Sequence, residues 1–130
     1  MNLLDENIRD DQRGLLRQWR IPARQIGKEV SRSGIEDENL ISVLHQLHRA
    51  TLFTQDEDFF KQRLCHDVYA LIFLDVKYIE VAEFIRRFLK HPGFDTQRKR
   101  MGIVARVRRT SVQFWRKGLG GLQIVRWDDH

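Results

Sequence analysis

The chain has 130 residues, 42% hydrophobic and 32% charged, which is enough apolar side chain for one domain with its own core and no need of disulfides or a structural metal. Its only cysteine, Cys65, excludes an internal disulfide framework and suits a reducing cytosol, and its longest apolar run, Val68 to Val76, is far too short to span a bilayer. The net charge of +5 is segregated, with most acids before residue 59 and a strongly basic stretch over residues 86–117, a polarity that suits a polyanionic partner such as nucleic acid. The N-terminus carries acids and no apolar h-region, so it reads as mature from Met1 and the protein as cytoplasmic, with no membrane association.

In chain order, Asn2 to Asp5 is a short predicted strand, and Ile8 to Arg20 a helix with an imperfect stripe of Ile8, Leu15, Leu16 and Trp19. Asp5 or Asn7 is expected to cap that helix, and Pro22 ends it. Ala23 to Val30 reads as a weaker strand and Ser31 to Gly34 as a turn. Ile35, Leu40, Ile41, Val43, Leu44 and Leu47 then mark an amphipathic helix entered through Glu36, Asp37 and Glu38, acids that favour a helix N-terminus. Ala50 to Thr54 is the next strand, and Asp56 to Gln62 a polar turn or a helical turn. Val68 to Asp75 is the clearest strand, uniformly apolar as a strand buried on both faces should be. A helix carrying Ile79, Val81, Ala82, Phe84, Ile85, Phe88 and Leu89 is stopped by His91-Pro92-Gly93. The order βαβαββα predicts an α/β fold, a mostly parallel sheet with helices on both faces. After Gly93 the texture turns β-rich and basic, with two strands or a hairpin over residues 101–107 and 110–115 and a last strand over 122–127.

Acids recur where strands end and helices begin. Asp5, Glu6 and Asn7 follow the first strand, Asp37 and Glu38 open the second major helix, Asp56 and Asp58 follow the third strand, and Asp75 tips the fourth. Ligands of open α/β sheets bind outside the carboxyl ends of the strands, so these acids are expected to converge. Two unit charges about 4 Å apart repel by roughly 4 kcal/mol at an effective dielectric near 20, and a gathering of them calls for a cation. Asp5, Asp37, Asp56 and Asp58 are the expected catalytic and metal-binding residues for Mg²⁺ or Mn²⁺, with Glu6, Glu38 and Asp75 as further candidates and Asn7 and Thr54 supporting them by hydrogen bonds. Arg98, Lys99, Arg100, Arg106, Arg108, Arg109, Arg116 and Lys117 are expected to guide a nucleic acid toward them, RNA if the resemblance described next holds.

Three segments carry a family resemblance. Leu3-Leu4-Asp5-Glu6-Asn7, then Gly34-Ile35-Glu36-Asp37-Glu38, then Thr54-Gln55-Asp56-Glu57-Asp58-Phe59 resemble, in order and spacing, the short PIN-like proteins of bacteria and archaea, a toxin-like family. The likeness covers roughly residues 1–95. It implies a three-layer PIN-like domain over 1–95, while the β-rich tail over 96–130, longer and more basic than that of minimal members, is expected to pack on the same domain as an extension. It also implies Mg²⁺- or Mn²⁺-dependent cleavage of RNA, as by the toxin of a type II toxin and antitoxin pair, with a cognate antitoxin and a homodimer as partners. Asp5 would be the first metal ligand, Asp37 the second acid, and Asp56 and Asp58 the third and fourth. Gln55 stands where that family more often has a basic residue.

Other readings fit less well. A phosphoacceptor receiver would want a lysine followed by proline after a core fifth strand, and a haloacid-type phosphatase would want Asp-x-Asp after the first, where this chain has Asp5-Glu6-Asn7. His45 and His48 have a zinc-compatible spacing but no evident third ligand. Trp115 is expected at a core edge or a dimer contact, with stacking on bases as the alternative. The rival from another class is a PIN-like module that binds RNA or protein without cutting.

Overall fold

A computed structural model describes residues 1–27 and 37–127, with Asp37 described by its backbone alone. The predicted turn at Ser31–Gly34, the end of the weak strand at Lys28–Val30 and the helix entry through Glu36 lie outside the described residues. The elements are β1 (Asn2–Leu4), α1 (Asp10–Gln18), β2 (Arg24–Gln25), α2 (Asp37–Gln46), β3 (Ala50–Thr54), β4 (Tyr69–Leu74), α3 (Val81–Lys90), α4 (Gln97–Arg100), β5 (Ile103–Val107), β6 (Ser111–Arg116) and β7 (Gln123–Arg126). All seven strands form one sheet in the order β2-β1-β3-β4-β5-β6-β7, with β1 to β5 parallel and β6 and β7 antiparallel. The α/β class and the mostly parallel sheet match the reading of the sequence. The residues after 95 pack on the same domain by continuing its sheet, since β5 pairs directly with β4.

Burial explains the strand compositions. Every residue of β3 and β4 is buried, because both faces are covered, and β4 is correspondingly apolar throughout. On one face α1 and α3 cover Leu4, Phe53, Ile72 and Ala105, with Phe88 stacked on Phe94 at 4.6 Å between ring centres. On the other, Leu40 and Leu44 of α2 and Phe59 of the 3₁₀ turn Glu57–Phe59 cover Leu3, Leu52 and Leu71. In β6 burial alternates, with Val112 and Phe114 facing the core and Gln113 and Trp115 only half-buried. That is the pattern of an antiparallel strand with one face uncovered.

The crossovers are not all of one hand. α1 carries the chain toward the β2 edge and α3 carries it toward the β7 edge, yet both lie on the same face of a parallel sheet, so their hands are opposite. Right-handed crossovers dominate in parallel sheets, so one of these two connections departs from the usual hand. This places α3 beside α1, where buried Gln12 accepts from the Ala82 N–H at 3.0 Å and satisfies a donor in the first turn of α3. α1 itself has Arg9 at its N-cap with no side-chain cap, so neither Asp5 nor Asn7 serves there as expected; Asp10 and Asp11 complement its dipole instead. α3 buries Val81, Ala82, Phe84, Ile85 and Phe88 and ends at His91 before Pro92, as read from the sequence. No helix among the described residues is long and apolar enough to cross a membrane.

Cys65 is half-buried and unbridged, and burial pushes its thiol pKa up. Its alkylation by iodoacetamide at pH 8 is expected to run several-fold slower than that of a free cysteine peptide; an equal rate would show the thiol to be open to solvent.

Candidate functional site

The chain leaves β1 toward β2 and leaves β3 toward β4, in opposite directions from adjacent strands. Such a reversal opens a crevice at the carboxyl ends of the two strands, the place where open α/β sheets take ligands. Asp5 and Asp56 stand on either side of it. The Asp5 N–H donates to the Phe53 carbonyl at 3.0 Å, continuing the β1–β3 ladder one residue past β1. The Thr54 hydroxyl donates to Asp5 Oδ2 at 2.7 Å and accepts from the Asp56 N–H at 3.0 Å, so one side chain fixes both acid-bearing loops. Asp56 Oδ1 accepts from the Asp58 N–H at 2.9 Å and caps the 3₁₀ turn. Asp5, Asn7, Ile8, Gln55 and Asp56 line a cleft of about 370 Å³.

Two glutamines hold the frame of the site, a bracing role that sequence reasoning assigned to neither. Gln25, fully buried in β2, extends its side-chain NH₂ to the carbonyls of Asp5, Glu6 and Ile8 at 3.3, 3.2 and 2.8 Å, fixing the loop that leaves β1. Gln55 donates to the Leu74 and Val76 carbonyls at 3.4 and 2.9 Å and ties the exit of β3 to that of β4. The only signal for Gln25 was an amide in a weak strand, which does not announce a partner 20 residues earlier.

Among the described residues, no other expected acid joins Asp5 and Asp56 to make a group of three. Asp58 lines a separate cleft of about 240 Å³ with Glu38, Lys61 and Arg63, because the 3₁₀ turn aims residues 56 and 58 differently. Asp75 is taken by Arg106, whose Nε and Nη2 donate to its Oδ2 at 2.9 and 2.7 Å, with Arg108 Nε at 3.7 Å. It is a charge partner rather than a ligand in waiting. The backbone carbonyl of Glu6 is held by Gln25. The Asp37 side chain lies outside the described residues. Among the described residues no three His, Cys, Asp or Glu side chains are gathered closely enough to hold a metal ion.

The donor set still suits a hard cation. Two carboxylates and the Asn7 amide in one cleft are oxygen ligands of the kind Mg²⁺ takes, and Mg²⁺ is commonly held by one or two carboxylates while waters and substrate phosphate fill the other positions.

The basic stretch divides between the two edges of the sheet. Arg106, Arg108 and Arg109 stand at the carboxyl edge with the acids, Arg109 paired with Glu80. Arg98, Lys99, Arg116 and Lys117 stand at the amino edge, where α4 enters β5 and β6 ends, with Lys99 paired to Asp95 at 2.8 Å. Arg100 is no surface contact at all. It is 5% exposed, its Nε donates to Thr51 Oγ1 at 3.1 Å and its Nη1 to the Phe94 carbonyl at 2.8 Å, so its expected role on RNA is replaced by a structural one. His45 stacks edge-on against His66 at 4.3 Å and against Tyr69 at 5.4 Å, an aromatic cluster rather than a zinc site.

Thr54→Val tests the bridge. It leaves Asp5 Oδ2 and the Asp56 N–H without their shared partner, and about 2 kcal/mol of stability is expected to be lost in urea unfolding. A change within about 0.5 kcal/mol, the range of ordinary surface substitutions, would show that the hydroxyl holds nothing.

Compared with protein-family models, with curated proteins and with solved structures, the chain matches none of them.

Proposed function

We propose that the Asp5–Asp56 cleft is the reaction centre of an Mg²⁺- or Mn²⁺-dependent endoribonuclease. The observation that supports this most is the Thr54 hydroxyl joining the Asp5 carboxylate to the Asp56 backbone, which holds two acids from adjacent strands at the reversal point of the sheet. Asp5 and Asp56 supply negative charge and oxygen donors, Asn7 adds a neutral donor, and Gln25 and Gln55 keep the two loops from drifting apart. When bound, the cation activates water and offsets charge on the phosphodiester. The resemblance to short PIN-like proteins supports RNA as the substrate and the toxin half of a type II pair as the setting, with an antitoxin protein and a second copy of the chain as partners.

Among the described residues the cleft has two acids, Asp5 and Asp56, which favours one further reading, a PIN-like module that binds nucleic acid or protein without cutting. Thermal unfolding separates the two. At Mn²⁺ concentrations 100 times the dissociation constant, binding to the folded state adds about 2.7 kcal/mol, a midpoint rise of several degrees, and Asp5→Asn is expected to abolish it. No Mn²⁺-dependent shift in the unaltered protein would favour the non-cutting module.

A further inference from the structure

The second face of the sheet is covered by α2, the 3₁₀ turn Glu57–Phe59 and the segment after it as far as Val104 in β5, which is fully buried. Beyond it, the strand registers align one row across four strands, Phe73 to Arg106 to Gln113 to Ile124. Burial falls steadily along this row. Phe73 is buried, the Arg106 side chain is 28% exposed, Gln113 is half-buried, and Ile124 is 54% exposed. One row nearer the carboxyl edge the exposed Arg126 pairs in register with Ser111. One row the other way, half-buried Trp115 lies against Phe60, with ring centres 4.6 Å apart and planes 31° from parallel. The Arg106 guanidinium sits 6.0 Å from the Phe60 ring and 5.8 Å from the Phe73 ring.

The charge on the strands β5–β7 has one sign. Thr96 to Trp127 contains no aspartate or glutamate, and Asp75 at the tip of β4 is already paired with Arg106. An uncovered sheet face with aromatic, apolar and guanidinium groups side by side matches the stacking platforms that take unpaired bases, and its cations match the phosphates between them. A duplex hides its base faces and would leave Trp115 and Ile124 without partners. The row also leads to the cleft, because Arg126, Arg106, Gln55 and Asp56 follow one another along the carboxyl edge. Four strand spacings of about 4.8 Å separate β7 from β3, so a few nucleotides lying on β5–β7 would reach the Asp5–Asp56 pair.

We propose that the open face of β6 and β7, together with Arg106 at the carboxyl end of β5, is the docking platform for single-stranded RNA, with Arg106 and Arg126 on its phosphates and Ile124 and the Trp115–Phe60 pair against its bases. This rests on the nucleic-acid reading of the cleft and specifies where its substrate lies.

The test is fluorescence anisotropy with a labelled octauridine RNA in EDTA, where no metal-dependent cleavage can interfere. Arg126→Glu and Gln113→Glu change exposed or half-exposed positions of the folded sheet, and together they are expected to weaken binding at least tenfold and to flatten the salt dependence. Trp115→Phe is expected to remove most of the tryptophan quenching seen on binding. Mn²⁺-dependent cleavage is read separately in Asp5→Asn, so a dead cleft and a dead platform give different results. Unchanged affinity in the double variant would overturn the proposal, as would equal affinity for an RNA duplex. So would unchanged RNA affinity together with a shift in sedimentation coefficient, which would make this face a contact between copies of the chain.

Discussion

Asp56→Asn is expected to reduce Mn²⁺-dependent cleavage of single-stranded RNA by about 10³-fold or more, equivalent to about 4 kcal/mol of barrier, while leaving the fold intact. The substitution is well suited because the Asp56 side chain has two separable duties. One oxygen accepts the Asp58 N–H and starts the 3₁₀ turn, a bond that an asparagine carbonyl can still accept. The other duty is the negative charge in the cleft beside Asp5, and asparagine removes that alone. Circular dichroism and the unfolding midpoint in EDTA should therefore match the unaltered protein. Asp58→Asn provides the contrast, since Asp58 lines the neighbouring cleft with Glu38 and Lys61 and is expected to keep activity within a few-fold. Equal losses in the two variants would mean that the acids work as one cluster after all.

Arg100→Ala is expected to cost about 3 kcal/mol and to lower the unfolding midpoint by about 10 °C. Its guanidinium reaches into the sheet from α4, and its removal strands the Thr51 hydroxyl and the Phe94 carbonyl in a buried place. Burial also pushes its pKa down, with Asp95 acting in the opposite sense. Keeping the charge inside therefore opposes folding at every pH below the arginine's folded pKa, and the hydrogen bonds must outweigh that. RNA affinity, measured below the midpoint, should not change. A stable variant with weakened RNA binding would put Arg100 back on the surface.

Arg100 shows what a sequence leaves unread. Among Arg98, Lys99 and Arg100 the charges are alike, and only the packing of α4 decides that the third turns inward. Asp75 is similar, since its role is set by Arg106, 31 residues away on the neighbouring strand. Asp56 and Asp58 share a motif but part company because a 3₁₀ turn, and not an extended strand, separates them. What was legible came from periodicity and burial. β3 over Ala50–Thr54 and β4 within Val68 to Asp75 are buried throughout because both faces are covered, β4 with apolar residues alone, and α3 shows its buried stripe and its stop at His91-Pro92. β2 was nearly invisible. Arg24 and Gln25 have no strand character of their own and are held extended by pairing with Leu3 and Leu4. The placement of Asp5 and Asp56 at adjacent strand ends followed from strand prediction, whereas the hydroxyl and amide braces around them depend on contacts that only the folded chain makes.

The central claim is that Asp5 and Asp56 together hold a divalent cation, and a crystal soaked in Mn²⁺ with anomalous data collected at the manganese edge tests it most directly. The account predicts one peak in the cleft between β1 and β3, with oxygens of both Asp5 and Asp56 about 2.1 Å from the ion and waters completing its shell. A peak between Glu38 and Asp58 instead, or none at saturating Mn²⁺, would contradict it.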